Sequence, residues 1–155
     1  IGSSVFHIIL HQPEIPQNTG SIGRLCVSTN TELHLIHPLG FQITDAHLRR
    51  AGLDYWEKLA PKQYDHWEDF LARNPAKRLW FLTTKGERLY TQVRYEPGDG
   101  LVLGRETRGL PEEILEAHRD QLVKIPMPGD FHRSLNLAQA AAVVLYEALR
   151  QVHGW

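Results

Sequence analysis

Ile125-Pro-Met-Pro-Gly-Asp-Phe-His-Arg-Ser-Leu-Asn136, running straight into the apolar segment Leu137–Leu145, is the stretch whose reading decides the fold. Two prolines and a glycine bar regular secondary structure before Ser134. Asn136 with Gln139 three residues on is a capping-box pair, so a helix starts there and runs to near Gln151. A helix start leaves backbone N–H groups without intrahelical partners. Placed beside an irregular loop, those groups can hold a small polar ligand. The helix itself is apolar on nearly every side, which predicts burial on more than one face.

Working outward, short apolar strands alternate with helical patterns. Strands are predicted over 5–10, 32–36, 78–83, 101–103 and 122–125. Asn18 is expected to cap a helix to about Ser28, Thr44-Asp45 to open a short helix ending near Gly52, and Asp65 with Glu68 to box a helix to about Arg73. Pro111 suits the first turn of a helix through Leu115. Strand-helix alternation with short, wholly apolar strands gives an α/β fold, a mostly parallel sheet flanked by helices. The first strand pattern begins at Val5, so Ile1–Ser4 read as a leftover of cloning, and 5–155 as one domain with no repeat, linker or separate substrate-binding unit.

The 155 residues suffice for one real core. No apolar run nears the roughly 20 residues that span a bilayer, and no secretory signal pattern is visible. Cys26 is the single cysteine, so no intrachain disulfide can form; a reducing, cytoplasmic setting is expected. Net charge is −1, which excludes a generic polycation that coats nucleic acid but leaves room for a local patch. Arg24, Arg49, Arg50, Arg105, Arg108 and Arg133 all fall in or near loops and helix starts.

Three loops could carry chemistry. Leu103-Gly-Arg-Glu-Thr-Arg-Gly-Leu-Pro111 follows a strand, where ligands of open α/β sheets bind. Gly104 would let backbone approach a ligand; a plain tight turn at Gly109 is an equally good reading. The stretch is neither G-x-G-x-x-G nor a Walker loop. Leu82-Thr-Thr-Lys-Gly86 also follows a strand, and an ordinary polar loop is its simpler reading. Asn18-Thr-Gly-Ser-Ile-Gly-Arg24 opens the first helix. Its interior glycines, Gly20 and Gly23, each cost about 1 kcal/mol, which suggests close packing against backbone or ligand. Arg24 there could clamp an anion. His34 and His37, three apart on or beside a strand, point to opposite faces, and no H-E-x-x-H or Cys/His cluster exists, so no metal is expected. The absence of G-x-S-x-G disfavours a serine hydrolase.

Taken together, Pro13–Arg24, Leu103–Pro111 and Ile125–Asn136 resemble, in order, the three motifs of the SPOUT superfamily of RNA methyltransferases. Gly40-Phe41 and Leu48-Arg-Arg-Ala-Gly-Leu-Asp-Tyr55 are similar to the subgroup of small tRNA (cytidine/uridine-34)-2'-O-methyltransferases. The likeness covers the chain from Val5 to about Arg150. It implies a C-terminal trefoil knot, a homodimer joined through the first and last helices, and S-adenosylmethionine bound in the knot. By motif position, Leu82, Gly104, Glu106, Gly109, Ile125, Met127, Ser134 and Leu135 are the implied cofactor-binding residues. Arg24, Ser134 and Asn136 are the implied catalytic ones. Arg24, Arg49, Arg50, Arg108 and Arg133 are the implied RNA contacts, with Arg105, Lys85 and Arg88 beside them. The implied substrate is the wobble nucleotide in the anticodon loop of a tRNA, with leucine tRNAs foremost, and no membrane is involved. Phe131 and His132 read as an addition to the family's segment, and His132 is a secondary acid-base candidate. A guanidinium keeps its proton in proteins, so Arg24 is expected to orient a phosphate or stabilise the developing alkoxide rather than act as base. The alternatives are methylation of another tRNA or rRNA site, a non-catalytic RNA-binding module of the same fold, and a flavodoxin-like nucleotide-binding protein. The missing phosphate loop speaks against the last.

Overall fold

Alternation of buried apolar residues along the central strands places side chains on both faces of one sheet. The computed structural model describes residues 6–44, 46, 55–130 and 134–155. In chain order the elements are β1 (His7–His11), α1 (Pro16–Thr29), β2 (Glu32–Ile36), β3 (Lys62–Tyr64), α2 (Trp67–Arg73), β4 (Leu79–Leu82), β5 (Arg88–Leu89), β6 (Gly100–Leu103), α3 (Glu112–Ala117), β7 (Leu122–Lys124) and α4 (Leu137–His153). The strands form one seven-stranded sheet in the order β3-β2-β1-β6-β4-β7-β5, and every pairing is parallel.

The two faces carry separate cores. Ile8, Leu10, Leu101, Leu103 and Trp80 pack with Ile22 and Cys26 of α1 and with Ala141, Val144, Leu145, Ala148 and Leu149 of α4. Ile9, Val102, Leu79 and Phe81 point the other way, onto Trp67 and Phe70 of α2 and Ile114 and Leu115 of α3. Burial pushes the Cys26 thiol well above its usual range, consistent with a core thiol.

Several expectations need correction. Helix α1 starts earlier than predicted, with Ile15 as N-cap and Pro16 next, and the Asn18 side chain does not cap it. The N-cap of α2 is His66, one residue later than the predicted Asp65, and its ring accepts from the Asp69 amide; Asp65 donates its own N–H to the Asp69 carboxylate, so no reciprocal box with the cap residue forms. Pro111 is the N-cap of α3 rather than its first turn. β3 and β5 have no counterpart in the sequence reading. Gly23 is tight against side chains, not a ligand: a Cβ there would sit 3.1 Å from the Trp56 ring and 3.2 Å from Leu59. Within the single chain, helix α4 buries one face, and Tyr146 on the other is 47% exposed. The predicted helix from Thr44-Asp45 to Gly52 lies mostly outside the described residues.

His11, at the carboxyl end of β1, is buried with its Nδ1 unpartnered among the described residues. Burial, with help from the Arg105 charge, pushes its pKa from 6.5 down to about 4. The unfolded ring takes up a proton near pH 6.5 and the folded one only near 4, so the neutral ring stabilises the fold fully above that window and loses its contribution as pH falls through it. His11→Leu should therefore flatten the dependence of stability on pH between 6.5 and 4, by up to one proton's worth of slope. Urea unfolding across that range checks this, and equal slopes in the two proteins would exclude it.

Candidate active site

Three strands end at one edge of the sheet, and their loops converge. β6 turns at Gly104 into a closed loop, where the Arg105 amide donates to the Gly109 carbonyl at 3.2 Å and the Gly109 amide returns to the Arg105 carbonyl at 2.9 Å. Gly109 sits at φ +67°, which glycine adopts without strain. A Cβ on Gly104 would lie 2.2 Å from the Gly109 carbonyl carbon, so the glycine admits its own loop rather than a ligand. After β4, Thr83 donates its amide to the Val123 carbonyl at 3.0 Å, which folds 83–86 back against β7. After β7 the chain crosses to α4, where the predicted capping box is present: the Asn136 side chain accepts from the Ala138 amide, and Gln139 accepts from the Asn136 amide.

These loops enclose a cavity of about 600 Å³, the size range of small-molecule sites. Leu82, Leu103, Leu110, Leu115, Ile125, Met127 and Leu137 give it an apolar wall; Thr83, Thr84, Ser134 and Asn136 add polar groups. Leu82, Gly104, Glu106, Gly109, Ile125, Met127, Ser134 and Leu135 all line it, as does Arg108. Ile15, Asn18 and the Thr83–Thr84 pair line it too; they belong to segments singled out in the sequence but were not among the residues assigned to the cofactor.

The cavity's polar edge is fixed from a distance. The Glu106 carboxylate accepts from the amides of Glu14 at 2.8 Å and Ile15 at 3.0 Å, and from the Asn18 side chain at 3.2 Å. Asn18 in turn accepts from Asn136 Nδ2 at 3.0 Å. Glu106 thus closes the start of α1, where Ile15 offers no capping side chain, and sets Asn18 against the start of α4. Glu14 reciprocates by accepting from the Thr107 hydroxyl and amide, bonds that hold its carboxyl below the usual range.

The arginines are less gathered than the sequence suggested. Arg24 is exposed and does not line the cavity; its guanidinium lies 5.7 Å from the Tyr55 ring centre. Arg105 lines the cavity but is held by Gln12. Lys85 pairs with Glu112 at 3.2 Å, and Arg88 donates to the Asp120 carbonyl beside Trp80. Arg49, Arg50, Phe131, His132 and Arg133 lie outside the described residues.

Loops from three parallel strand ends, gathered around one cavity beside a capped C-terminal helix, define an α/β protein with a small-molecule site at its strand ends. The chain belongs to the SpoU rRNA methylase family, whose pattern matches residues 5–146. It is 49% identical to a tRNA (cytidine(34)-2'-O)-methyltransferase of Saccharophagus degradans, over 96% of each chain. A solved structure giving structural insights into the 2-OH methylation of C/U34 on tRNA superposes with a TM-score of 0.92 at 44% identity, covering 99% of this chain and 100% of that one. The SpoU methyltransferase AviRb from Streptomyces viridochromogenes, in complex with the cofactor AdoMet, superposes at 0.84 with 25% identity, over 100% of this chain and 63% of its own.

Because the Gly104 contact is with backbone, no side-chain shift can relieve it. Gly104→Ala should cost about 3 kcal/mol in urea unfolding. Gly129→Ala, with open space around the added carbon, should stay within about 0.5 kcal/mol of the parent. Equal effects would show that the 104–109 loop is looser than described.

Proposed function

We propose that the protein transfers a methyl group from S-adenosylmethionine to the ribose 2'-oxygen of nucleotide 34, the wobble position, in tRNA, with leucine tRNAs foremost. The observation that carries this reading is the cavity, built from all three motif loops and locked through Glu106, Asn18 and Asn136. The substrate rests on relatives named for that position; leucine rests on the family resemblance alone.

The donor set fits the cofactor. An apolar wall suits a nucleoside base, and Thr83, Ser134, Asn136 and the strand-end loops supply hydrogen-bonding partners for its polar parts. When bound, S-adenosylmethionine would supply an electrophilic sulfonium methyl, a donor that calls for no metal, and the ribose hydroxyl would give up its proton to solvent or a nearby group. The protein's share is mostly positioning: a 2'-hydroxyl held in line with the methyl gains from proximity and orientation. In this reading Leu82, Gly104, Glu106, Gly109, Ile125, Met127, Ser134 and Leu135 form the cofactor site, and Ser134 and Asn136 orient the reacting groups. Arg24, outside the cavity of its own chain, orients an RNA phosphate or stabilises the developing alkoxide. Arg108 offers a cation beside the cofactor site, and Arg49, Arg50 and Arg133 complete the RNA contacts. An unpaired loop suits this chemistry, since its ribose is reachable.

The same reading takes the segment from Ile125 to Asn136 as part of a trefoil knot, supported by the family likeness. It takes the functional unit as a homodimer, supported by the apolar surface that one chain leaves open at Ile15 (39% exposed), Tyr146 (47%) and Trp155 (64%), and it sets that unit in the cytoplasm on the expectation from the single cysteine.

Incubation of total tRNA with labelled S-adenosylmethionine, followed by mapping of the modified nucleotide, tests the assignment. Label at the 2'-oxygen of nucleotide 34 is expected; label elsewhere, or none, would overturn it. Arg24→Ala should reduce turnover at least about a hundred-fold while cofactor affinity, measured by calorimetry, changes less than about two-fold. A matching loss of cofactor affinity would contradict the role given to Arg24.

A further inference from the structure

We propose that His7, Glu32 and His34 form a binding site for one zinc ion at the amino-terminal ends of β1 and β2, on the edge of the sheet opposite the cofactor cavity.

Parallel pairing brings the three together. His7 lies opposite Glu32 in the β1–β2 register, and Glu32 and His34, two apart on one strand, project from the same face. The atoms that would ligate converge: His7 Nδ1 is 2.9 Å from His34 Nε2, His34 Nε2 is 3.0 Å from Glu32 Oε1, and His7 Nδ1 is 3.5 Å from that same oxygen. Ligands about 2.0–2.1 Å from a tetrahedral zinc ion stand roughly 3.3 Å apart, so small outward shifts seat the ion. Two imidazoles and one carboxylate, with a fourth position open to water, is a donor set that zinc accepts.

The surroundings are those of a held ligand rather than a loose surface cluster. The His34 side chain is fully buried, and its other ring nitrogen, Nδ1, is 2.8 Å from the Tyr64 hydroxyl, which also accepts from Asn74 Nδ2 at 3.3 Å. The Tyr64 hydroxyl can accept from Nδ1–H, and in that tautomer Nε2 turns its lone pair toward the ion. The ring stacks on Tyr64 and meets the Phe70 ring edge-on, which fixes its plane. Solvent reaches the site past His7 and Glu32, whose side chains are 14% and 26% exposed. Two cations compete. Lys62 Nζ lies 3.1 Å from Glu32 but is 56% exposed and free to turn into water; Lys77 acts on the site through its charge and has no contact with the carboxylate within ion-pair distance. The ion would join β1 to β2 at the strand ends away from the strand-end cavity.

The test uses the full chain, stripped with a chelator and titrated with zinc chloride by calorimetry, with Tm followed in parallel. One equivalent per chain and a raised Tm are expected. His7→Asn and Glu32→Gln should each weaken zinc binding at least about ten-fold, and Tyr64→Phe, which removes no ligand, roughly ten- to hundred-fold. His66→Asn with Glu68→Gln, which dismantles an exposed His–Glu pair at 3.3 Å, should leave it unchanged. Cobalt substitution in the unmutated protein should give the intense visible bands of four-coordinate Co²⁺, a readout independent of any variant's folding. No uptake, no such bands, or uptake retained by the combined His7→Asn and Glu32→Gln variant would overturn the proposal.

Discussion

The carboxylate of Glu106 is the constraint on which the rest of the site depends. It receives two backbone amides at the entrance to α1 and the side chain of Asn18, and Asn18 carries the link to Asn136 at the start of α4. Three stretches far apart in sequence thereby share one hydrogen-bonded chain. Bonds to a charged acceptor contribute about 1.5–3 kcal/mol each, and a satisfied network exceeds the sum of its parts. Against a total stability of about 5–15 kcal/mol for a domain, that is a large share held at one point. Part of the apolar wall needs no such device, because strand pairing already fixes Leu82 against Val123 and Leu103 against Leu10.

Much of the fold was legible because burial on both faces writes a plain signal. The predicted span of β2 coincides with the observed one, β6 and β7 shift by a residue at one end, and β4 is shorter by a residue at each end. The failures share a cause. β3 and β5 stand at the two edges of the sheet, are two or three residues long, and carry Lys62, Gln63 and Arg88, so no apolar run marks them. The start of α1 could not be read locally because its cap is Glu106, ninety-one positions along the chain from Ile15. The α4 start was legible because its box is built from Asn136 and Gln139 themselves.

The site was legible through the resemblance and through strand-end position, and less through residue chemistry. Gly104 was noticed for its place after β6, yet its reason is the peptide of Gly109, a contact visible only in three dimensions. Some basic side chains carry partners that the sequence does not show. A basic side chain in a loop looks available in sequence, whereas Arg105 is spent on Gln12 and Lys85 on Glu112. The sheet's other edge repeats the lesson: His7 joins Glu32 and His34 only because β1 and β2 lie in register, a pairing that spacing along the chain conceals.

The central claim is that Glu106, Asn18 and Asn136 act as one unit that holds the cofactor cavity in shape. Calorimetric affinity for S-adenosylmethionine across a double-mutant cycle of Glu106→Gln and Asn136→Ala tests it most directly. The account predicts that the double variant loses hardly more affinity than the weaker-binding single variant, because either change opens the same chain of bonds. Losses that simply add would show that the two residues act separately and would contradict it.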